Sequence, residues 1–245
     1  MDVPRLLPTL SNRPAQWRSR LAPVWNALLP AHCIVCALPS GGAPMCTPCR
    51  GELPAATPGC PRCAVPGTAG VLCGHCQRRL PAFDWVVAGF TYAFPVDQLI
   101  QRLKYAHDFA VAQAFSRVLI DRIERPAVDL LVPVPLHRSR LRERGFNQAV
   151  EIARPVARAW GRPLALSEVQ RVRPTVAQAG LSRKVRRANL RAAFGCTRAL
   201  DGLRVLMVDD VMTTGATLDA LARCLKQHGA AEVGALVVAR TPPPR

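Results

Sequence analysis

Acidic side chains are scarce in this chain: its 245 residues include 16 Asp and Glu against 33 Lys and Arg, a formal net charge of +17. Such an imbalance favours an acidic partner, such as a nucleic acid, a nucleotide or phosphate. The chain is also rich in Ala, Arg and Pro, as proteins from GC-rich genomes are, and codon bias would produce part of the same charge. The charge alone therefore does not decide whether a partner is larger than a small phosphate.

Long apolar runs are also lacking. No run of about 18 uncharged apolar residues occurs anywhere in the chain, so no membrane span is predicted. Arg5, Arg13, Arg18 and Arg20 are followed by apolar stretches that Pro and polar residues interrupt, so the sequence does not predict a secretory signal either.

Cysteine, by contrast, is abundant: ten are present, and eight of them form Cys-x-x-Cys pairs. Without an export signal, a metal site explains these pairs better than disulfides do. The pairs form two blocks of identical internal spacing, Cys33, Cys36, Cys46 and Cys49, then Cys60, Cys63, Cys73 and Cys76. Two such knuckles complete a tetrahedral tetrathiolate site, so we predict two structural zinc ions, with the pairs combined sequentially or interleaved. His32 and His75 are predicted not to ligate, and the isolated Cys196 and Cys224 are interpreted as core residues.

Composition divides the chain into three parts: an N-terminal lead with a short helix at 1–32, a double zinc ribbon at 33–80, and a larger domain at 83–245. In the larger domain, apolar runs alternate with helical patterns. The predicted strands are Trp85–Ala93, Leu130–Val134, Val205–Val208 and Val233–Ala239. The predicted helices are Val96–Ala106, Phe109–Glu124, Phe146–Trp160 and Ala216–His228. Continuous apolar strands that alternate with helices predict an α/β fold with a mostly parallel sheet covered on both faces.

The most specific motif follows the strand at Val205–Val208. Asp209 and Asp210 come directly after it, and a run that leads into a helix consists of Thr213, Thr214, Gly215, Ala216 and Thr217. Backbone N–H groups and hydroxyls at a helix N-terminus suit a phosphate dianion, whereas paired carboxylates suit sugar hydroxyls or hydrated Mg²⁺. We therefore predict a ribose 5-phosphate site, with Asp209 and Asp210 as the catalytic pair. Neither a Walker A motif nor GxGxxG occurs, and the loop resembles the phosphoribosyl pyrophosphate (PRPP) signature of type I phosphoribosyltransferases.

Two basic segments fit the same ligand. The first, after Pro133 and Pro135, is predicted to bind pyrophosphate through Leu136, His137, Arg138, Arg142 and Arg144. The second runs from Val169 to Leu200 without an acidic residue, and it resembles the mobile flap that closes over pyrophosphate in these enzymes. The residues predicted to act in this flexible loop are Arg171, Thr175, Gln178, Arg183, Lys184, Arg186 and Arg187. The alternative interpretation of both segments is a solvated basic surface.

Taken together, these motifs resemble the competence protein F (ComF) family over nearly the whole chain. The resemblance includes Leu103-Lys104-Tyr105, the segment Val132–Leu136, Arg144–Gln148, Ala193-Phe194 and the PRPP loop. It implies a type I phosphoribosyltransferase fold with an N-terminal double zinc ribbon, in a cytoplasmic bacterial protein that acts in DNA uptake during natural transformation. Purine-salvage enzymes of the hypoxanthine type carry an Asp where this chain has Thr213, so hypoxanthine or guanine salvage is not expected.

Three functions remain open at this point. One is Mg²⁺-dependent transfer of phosphoribose from PRPP to an unknown acceptor. The second is a non-catalytic PRPP-sensing competence factor that binds single-stranded DNA and other proteins of the competence machinery. The third is an interaction scaffold that merely retains the fold. The shortage of aromatic residues in 33–80 counts against a DNA-binding ribbon, because strand binders stack bases on aromatic rings. The sequence does not decide whether Lys104 and Tyr105 reach the site or only end an amphipathic helix.

Overall fold

The computed structural model describes residues 31–172 and 193–243. The N-terminal lead therefore falls almost entirely outside the described residues. So do all the flexible-loop residues except Arg171.

The larger part of the chain is built on a parallel sheet with the strand order β1-β6-β5-β2. Its strands are β1 (Trp85–Thr91), β2 (Leu130–Pro133), β5 (Arg204–Met212) and β6 (Glu232–Arg240). A separate antiparallel pair is formed by β3 (Val169–Arg171) and β4 (Phe194–Cys196). The helices are α1 (Thr47–Glu52), α2 (Gly74–Arg78), α3 (Val96–Ala106), α4 (Phe109–Arg122), α5 (Arg138–Arg144), α6 (Gln148–Trp160) and α7 (Ala216–Gln227).

Apolar residues cover both faces of this sheet, as the continuous apolar strands predict. On one face, α3, α4 and α6 pack with the first cysteine block around Phe90, Phe115 and Leu206. On the other face, α7 packs with the second cysteine block around Phe83, Met207 and Leu221. Each cysteine block therefore lies against a different face of the sheet and packs against a different set of helices.

The predicted strands and helices are largely confirmed, with informative differences at the C-terminal edge of the sheet. The strand β5 continues through the carboxylates to Met212 instead of ending before them, because it stays paired with β6 as far as Arg240. The helix α6 begins at Gln148 rather than Phe146, since the Asn147 side chain accepts the Ala149 N–H and caps the helix. Helix α5 was not predicted. Of the two isolated cysteines expected in the core, Cys224 is buried, whereas Cys196 is only half-buried.

None of the helices in the described parts of the chain has the length and apolar character needed to span a bilayer.

Candidate functional site

The acidic pair lies where β5 runs beyond its neighbour β2, whose last partner on β5 is Val208. Asp210 is only 3% exposed. The Lys104 ammonium lies 2.5 Å from its Oδ2 atom, and the Gln148 amide donates to its Oδ1 atom over 3.3 Å. Asp209 is half-buried, and its Oδ1 atom accepts the Asp210 backbone N–H at 2.9 Å. Lys104 therefore does reach the acidic pair.

The two carboxyl groups differ in how readily they ionise. Burial, followed by the charge of Asp210, raises the pKa of Asp209 well above its ordinary value. Burial would also raise the pKa of Asp210, but the charge and hydrogen bond of Lys104 outweigh it and hold that pKa below its ordinary value. Asp210 is thus the first of the pair to carry a negative charge, and Lys104 is the group that makes this possible.

The predicted pyrophosphate segment is connected to this pair. Arg144 donates from Nη1 to Oε1 of Gln148 over 2.6 Å, and Gln148 in turn holds Asp210. Arg138 and Arg142 are exposed on helix α5 and form no ion pair with any described residue. Leu136 and His137 are half-buried, and His137 caps α5 by accepting the Ser139 N–H. Arginines free of carboxylate partners are suited to bind a polyanion.

The flexible-loop prediction is represented here by Arg171 alone, at the end of β3. Thr175, Gln178, Arg183, Lys184, Arg186 and Arg187 lie outside the described residues, between β3 and β4. Burial lowers the pKa of the Arg171 guanidinium, while the charge of Asp209 raises it and that of Arg140 lowers it. These influences place Arg171 within electrostatic reach of the acidic pair and of α5.

The predicted phosphate loop joins β5 to the N-terminus of α7. Gly215 occupies the N-cap position with φ +77°, in the left-handed region that favours glycine. A Cβ atom at that position would also lie 2.5 Å from the Met212 side chain. Thr213, Thr214 and Ala216 are exposed and Thr217 is half-buried, and the Ala216 N–H donates to the Thr214 hydroxyl at 3.4 Å. An exposed helix N-terminus of this kind suits an anion.

The two cysteine blocks form two separate clusters. In each cluster the four Sγ atoms lie within 4.8 Å of one another, and none of the ten cysteines is in a disulfide. The pairs therefore combine sequentially, which the spacing left open. The knuckles repeat each other closely, since Ala37 and Ala64 both follow a Cys-x-x-Cys pair with positive φ, 59° and 53°.

The clusters fit zinc by geometry as well as by donor type. A tetrahedral site with Zn–S bonds of about 2.3 Å has S···S edges of about 3.8 Å. The Sγ atoms of Cys36 and Cys46 lie 3.8 Å apart, and those of Cys63 and Cys73 lie 3.7 Å apart. Backbone N–H groups of Val35 and Cys46 point at the Cys33 sulfur, as suits a thiolate ligand. The two-site zinc prediction is supported on both counts.

A buried arginine ties the second cluster to the phosphate loop. Arg240, at the end of β6, is 7% exposed. Its Nε atom donates to the Cys63 carbonyl at 2.9 Å, and its Nη1 atom donates to the carbonyls of Met212 at 3.0 Å and Thr213 at 2.5 Å. No carboxylate within the described ranges pairs with it. Its guanidinium thus places a positive charge beside the backbone of the phosphate loop.

A pocket of about 570 Å³ opens between the second cluster and the phosphate loop. Its wall includes Val65, Leu80 and Phe83 on the apolar side and Thr213 and Thr214 on the polar side. Neither carboxylate of the acidic pair contributes to it. The pocket therefore adjoins the phosphate loop from the ribbon side without reaching the groups suited to hold a sugar.

Sequence reasoning identified the acidic pair and the loop and left open whether Lys104 reaches them, but it missed Gln148 as a direct neighbour of Asp210, and it missed Arg240. Local sequence carries no signal for such long-range contacts. The one sequence feature that could have pointed to Arg240 is its position, because a cationic residue there ends a buried apolar strand.

Two family matches cover most of the chain. Residues 146–244 match the phosphoribosyl transferase domain, and residues 24–77 match the double zinc ribbon domain. The expected α/β fold with an N-terminal zinc-ribbon module is therefore confirmed.

Among solved structures, the chain resembles the glutamine PRPP amidotransferase from Bacillus subtilis, with 23% identity and a TM-score of 0.37 over 50% of this chain and 25% of that one. It also resembles a purine phosphoribosyltransferase from Pyrococcus horikoshii, with 19% identity and a TM-score of 0.30 over 63% of this chain and 87% of that one.

Curated relatives are more similar in sequence. The DNA utilization protein YhgH of Salmonella typhi is 34% identical over 157 residues, which cover 61% of this chain and 69% of that protein. Competence protein ComFC of Bacillus subtilis is 30% identical over 157 residues, covering 62% of each. Competence protein F of Haemophilus influenzae is 33% identical over 159 residues, covering 61% of this chain and 69% of that protein. With its acidic pair, phosphate loop and paired cysteine clusters, the chain belongs to the competence protein F family.

Proposed function

We propose that this protein binds PRPP with Mg²⁺ and transfers its phosphoribosyl group to an acceptor. The observation that carries the proposal is the meeting, at one edge of the sheet, of an exposed phosphate loop with the acidic pair and with helix α5, whose Arg138 and Arg142 form no ion pair with a described residue. Each of these suits one part of PRPP: the 5-phosphate, the ribose hydroxyls and the pyrophosphate.

The roles follow from the local chemistry. The N–H groups and hydroxyls of Thr213–Thr217 would hold the 5-phosphate, with the Arg240 charge beside them. Asp209 and Asp210 would accept the ribose hydroxyls and help hold Mg²⁺, which neutralises charge on the departing pyrophosphate. Arg138, Arg142 and Arg144 would stabilise the negative charge that develops on pyrophosphate as the bond to C1 breaks.

Relatives named for competence and DNA utilization support a place in DNA uptake. We place this activity in a domain at 83–245, after the ribbon at 33–80 and the lead at 1–32, in a cytoplasmic protein. A second candidate is the non-catalytic, PRPP-sensing factor that binds single-stranded DNA and other competence proteins. The exposed arginines of α5, Arg138, Arg140 and Arg142, favour it, because they offer more cationic surface than pyrophosphate alone needs.

Pyrophosphate release from PRPP with Mg²⁺, measured with and without nucleobases, amines and single-stranded DNA, tests the enzymatic proposal. Release should depend on an acceptor and should be abolished in Asp210→Asn. Asp129→Asn is the matched control, because that carboxylate pairs with Arg204 at the opposite end of β5. A wild type that binds PRPP but releases no pyrophosphate with any acceptor would favour the sensing factor instead.

A further inference from the structure

Few aromatic rings are exposed in the part of the chain that the structure describes. The whole chain has seven Phe, four Trp and two Tyr. Within 31–172 and 193–243, only Phe94, Tyr105 and Phe109 among them have strongly exposed side chains, at 78%, 68% and 44%. Two of the three lie within five residues of each other, beside the predicted pyrophosphate segment. Two exposed rings so close together suggest a binding surface, because large apolar surface in water is unfavourable.

The fold fixes these two rings at a corner between four helices. Helix α3 ends at Ala106 and is capped by His107 in the left-handed conformation, and α4 starts at Phe109. The His107 and Phe109 rings both contact the edge of Phe146, with centroids 5.3 Å and 4.9 Å away. His107 Nε2 also hydrogen-bonds to the Arg144 carbonyl at 2.9 Å. We name this feature the aromatic corner, consisting of Tyr105, His107, Phe109, Arg144 and Phe146.

Helix α5 brings positive charge to the corner through Arg144. The Arg144 guanidinium lies 5.6 Å from the Tyr105 ring centroid, so Tyr105 is supported on one side by a cation and remains mostly open to solvent. Arg138 and Arg142, on α5, are exposed and have no ion pair in the described part of the chain. Arg140 pairs only weakly, 3.4 Å from Glu143.

Open ring faces beside unpaired arginines match single-stranded nucleic acid. Unpaired bases stack on aromatic rings, while guanidinium groups bind the phosphates between them. An acidic peptide would use the charges but not the ring faces, and a duplex would keep its bases stacked inside. Pyrophosphate would need the arginines but not Tyr105 or Phe109.

We propose that the aromatic corner and the exposed arginines of α5, Arg138, Arg140 and Arg142, form the binding surface for single-stranded DNA. The inference rests on the nucleic-acid partner in the proposed function and gives it a location. It places the DNA beside the PRPP site and not on the cysteine ribbons. Tyr105 is linked to the acidic pair through Arg144 and Gln148, so a base stacked on Tyr105 would lie near the PRPP site.

The test measures binding of the full-length, zinc-loaded protein to a fluorescein-labelled oligothymidylate of about 20 nucleotides by fluorescence anisotropy. Tyr105→Leu should weaken binding about tenfold, as expected for the loss of one stacked base, while Tyr105→Phe should keep most of the affinity. Phe94→Leu is the matched control. It removes an equally exposed ring at the far end of α3, about 15 Å away at 1.5 Å per residue, and it should change nothing.

Salt dependence separates stacking from charge. Arg142→Ala should lower the slope of log affinity against log salt, and Tyr105→Leu should leave that slope unchanged. Equal affinities of wild type and Tyr105→Leu, or an equal loss in Phe94→Leu, would overturn the inference. PRPP binding by the same proteins is measured separately. A wild type that binds PRPP but not the oligonucleotide refutes the inference alone, whereas one that binds the oligonucleotide but not PRPP refutes the transferase proposal.

Discussion

Replacing Arg240 with methionine should loosen the second cysteine cluster and the phosphate loop together. The side chain is buried and donates to carbonyl groups of Cys63, Met212, Thr213 and Thr241. Methionine is similar in length and fills much of the same space, so the change removes the charge and the donors with little loss of packing. The affected carbonyls belong to a predicted zinc ligand on one side and to the phosphate loop on the other.

The expected cost can be estimated from these contacts. The Met212 carbonyl keeps a second donor, the Thr241 N–H at 3.0 Å, so three carbonyls lose their partner. An unsatisfied buried acceptor costs about 1–3 kcal/mol, but water will reach some of these groups. We therefore expect a loss of about 3–5 kcal/mol of stability, a large share of the total for an ordinary domain. The affinity for PRPP should fall at least tenfold, about 1.4 kcal/mol, since a positive charge beside the phosphate loop is lost.

Urea denaturation gives the stability, and chelator competition gives the rate at which zinc leaves. The first cluster is an internal control, because it packs against α3 and α4, where Arg102 donates to the Ile34 carbonyl. One zinc per chain should leave faster in Arg240→Met and the other should not. A matched variant is Arg204→Met, which breaks an exposed ion pair at the start of β5. If Arg240→Met were as stable as Arg204→Met and released zinc like wild type, the reasoning would be wrong.

Three further predictions concern other parts of the molecule. Elemental analysis of protein purified without added metal should find two zinc ions per chain; fewer than one would contradict the two-cluster account. Lys104→Met should destabilise the fold by about 1–3 kcal/mol, because it leaves the buried Asp210 carboxylate without its cationic partner. The double variant Lys104→Met with Asp210→Asn should lose less stability than the sum of the two single losses. Additive losses would mean that the two side chains do not interact. Hydrogen bonds from Arg204 lower the pKa of Asp129 from 3.8 to about 2, so its stabilisation is complete above its unfolded pKa and is lost as the pH falls through about 2. The stability difference between wild type and Asp129→Asn should therefore shrink over that range, and a constant difference would refute the assignment.

Much of the α/β domain could be predicted from the sequence because its signals are local. Four buried strands read as continuous apolar runs, and α3 begins and ends where the periodicity indicates, at Val96 and Ala106. The turn of the predicted phosphate loop could be located because a glycine stands where the strand passes into a helix, and Gly215 does cap α7 there with a positive φ. The cysteine clusters were found because each knuckle repeats at a fixed spacing.

The rest depends on contacts that no local pattern contains. Lys104 reaches Asp210 across 106 positions of sequence, and Arg240 reaches Cys63 across 177. Helix α5 was missed because Pro133 and Pro135 indicate a turn, whereas His137 caps a short helix just after it. The aromatic corner joins α3 and α4 to residues of α5 and its connection to α6, so it exists only once these helices pack together.

The central claim is that this site binds PRPP, and calorimetric titration of the zinc-loaded protein with PRPP and Mg²⁺ tests it most directly. Asp209→Asn with Asp210→Asn keeps the shape of the strand but removes both negative charges. We predict saturable binding by the wild type and a loss of at least an order of magnitude, about 1.4 kcal/mol, in the double variant. A folded wild type that does not bind PRPP at millimolar concentration would contradict the account.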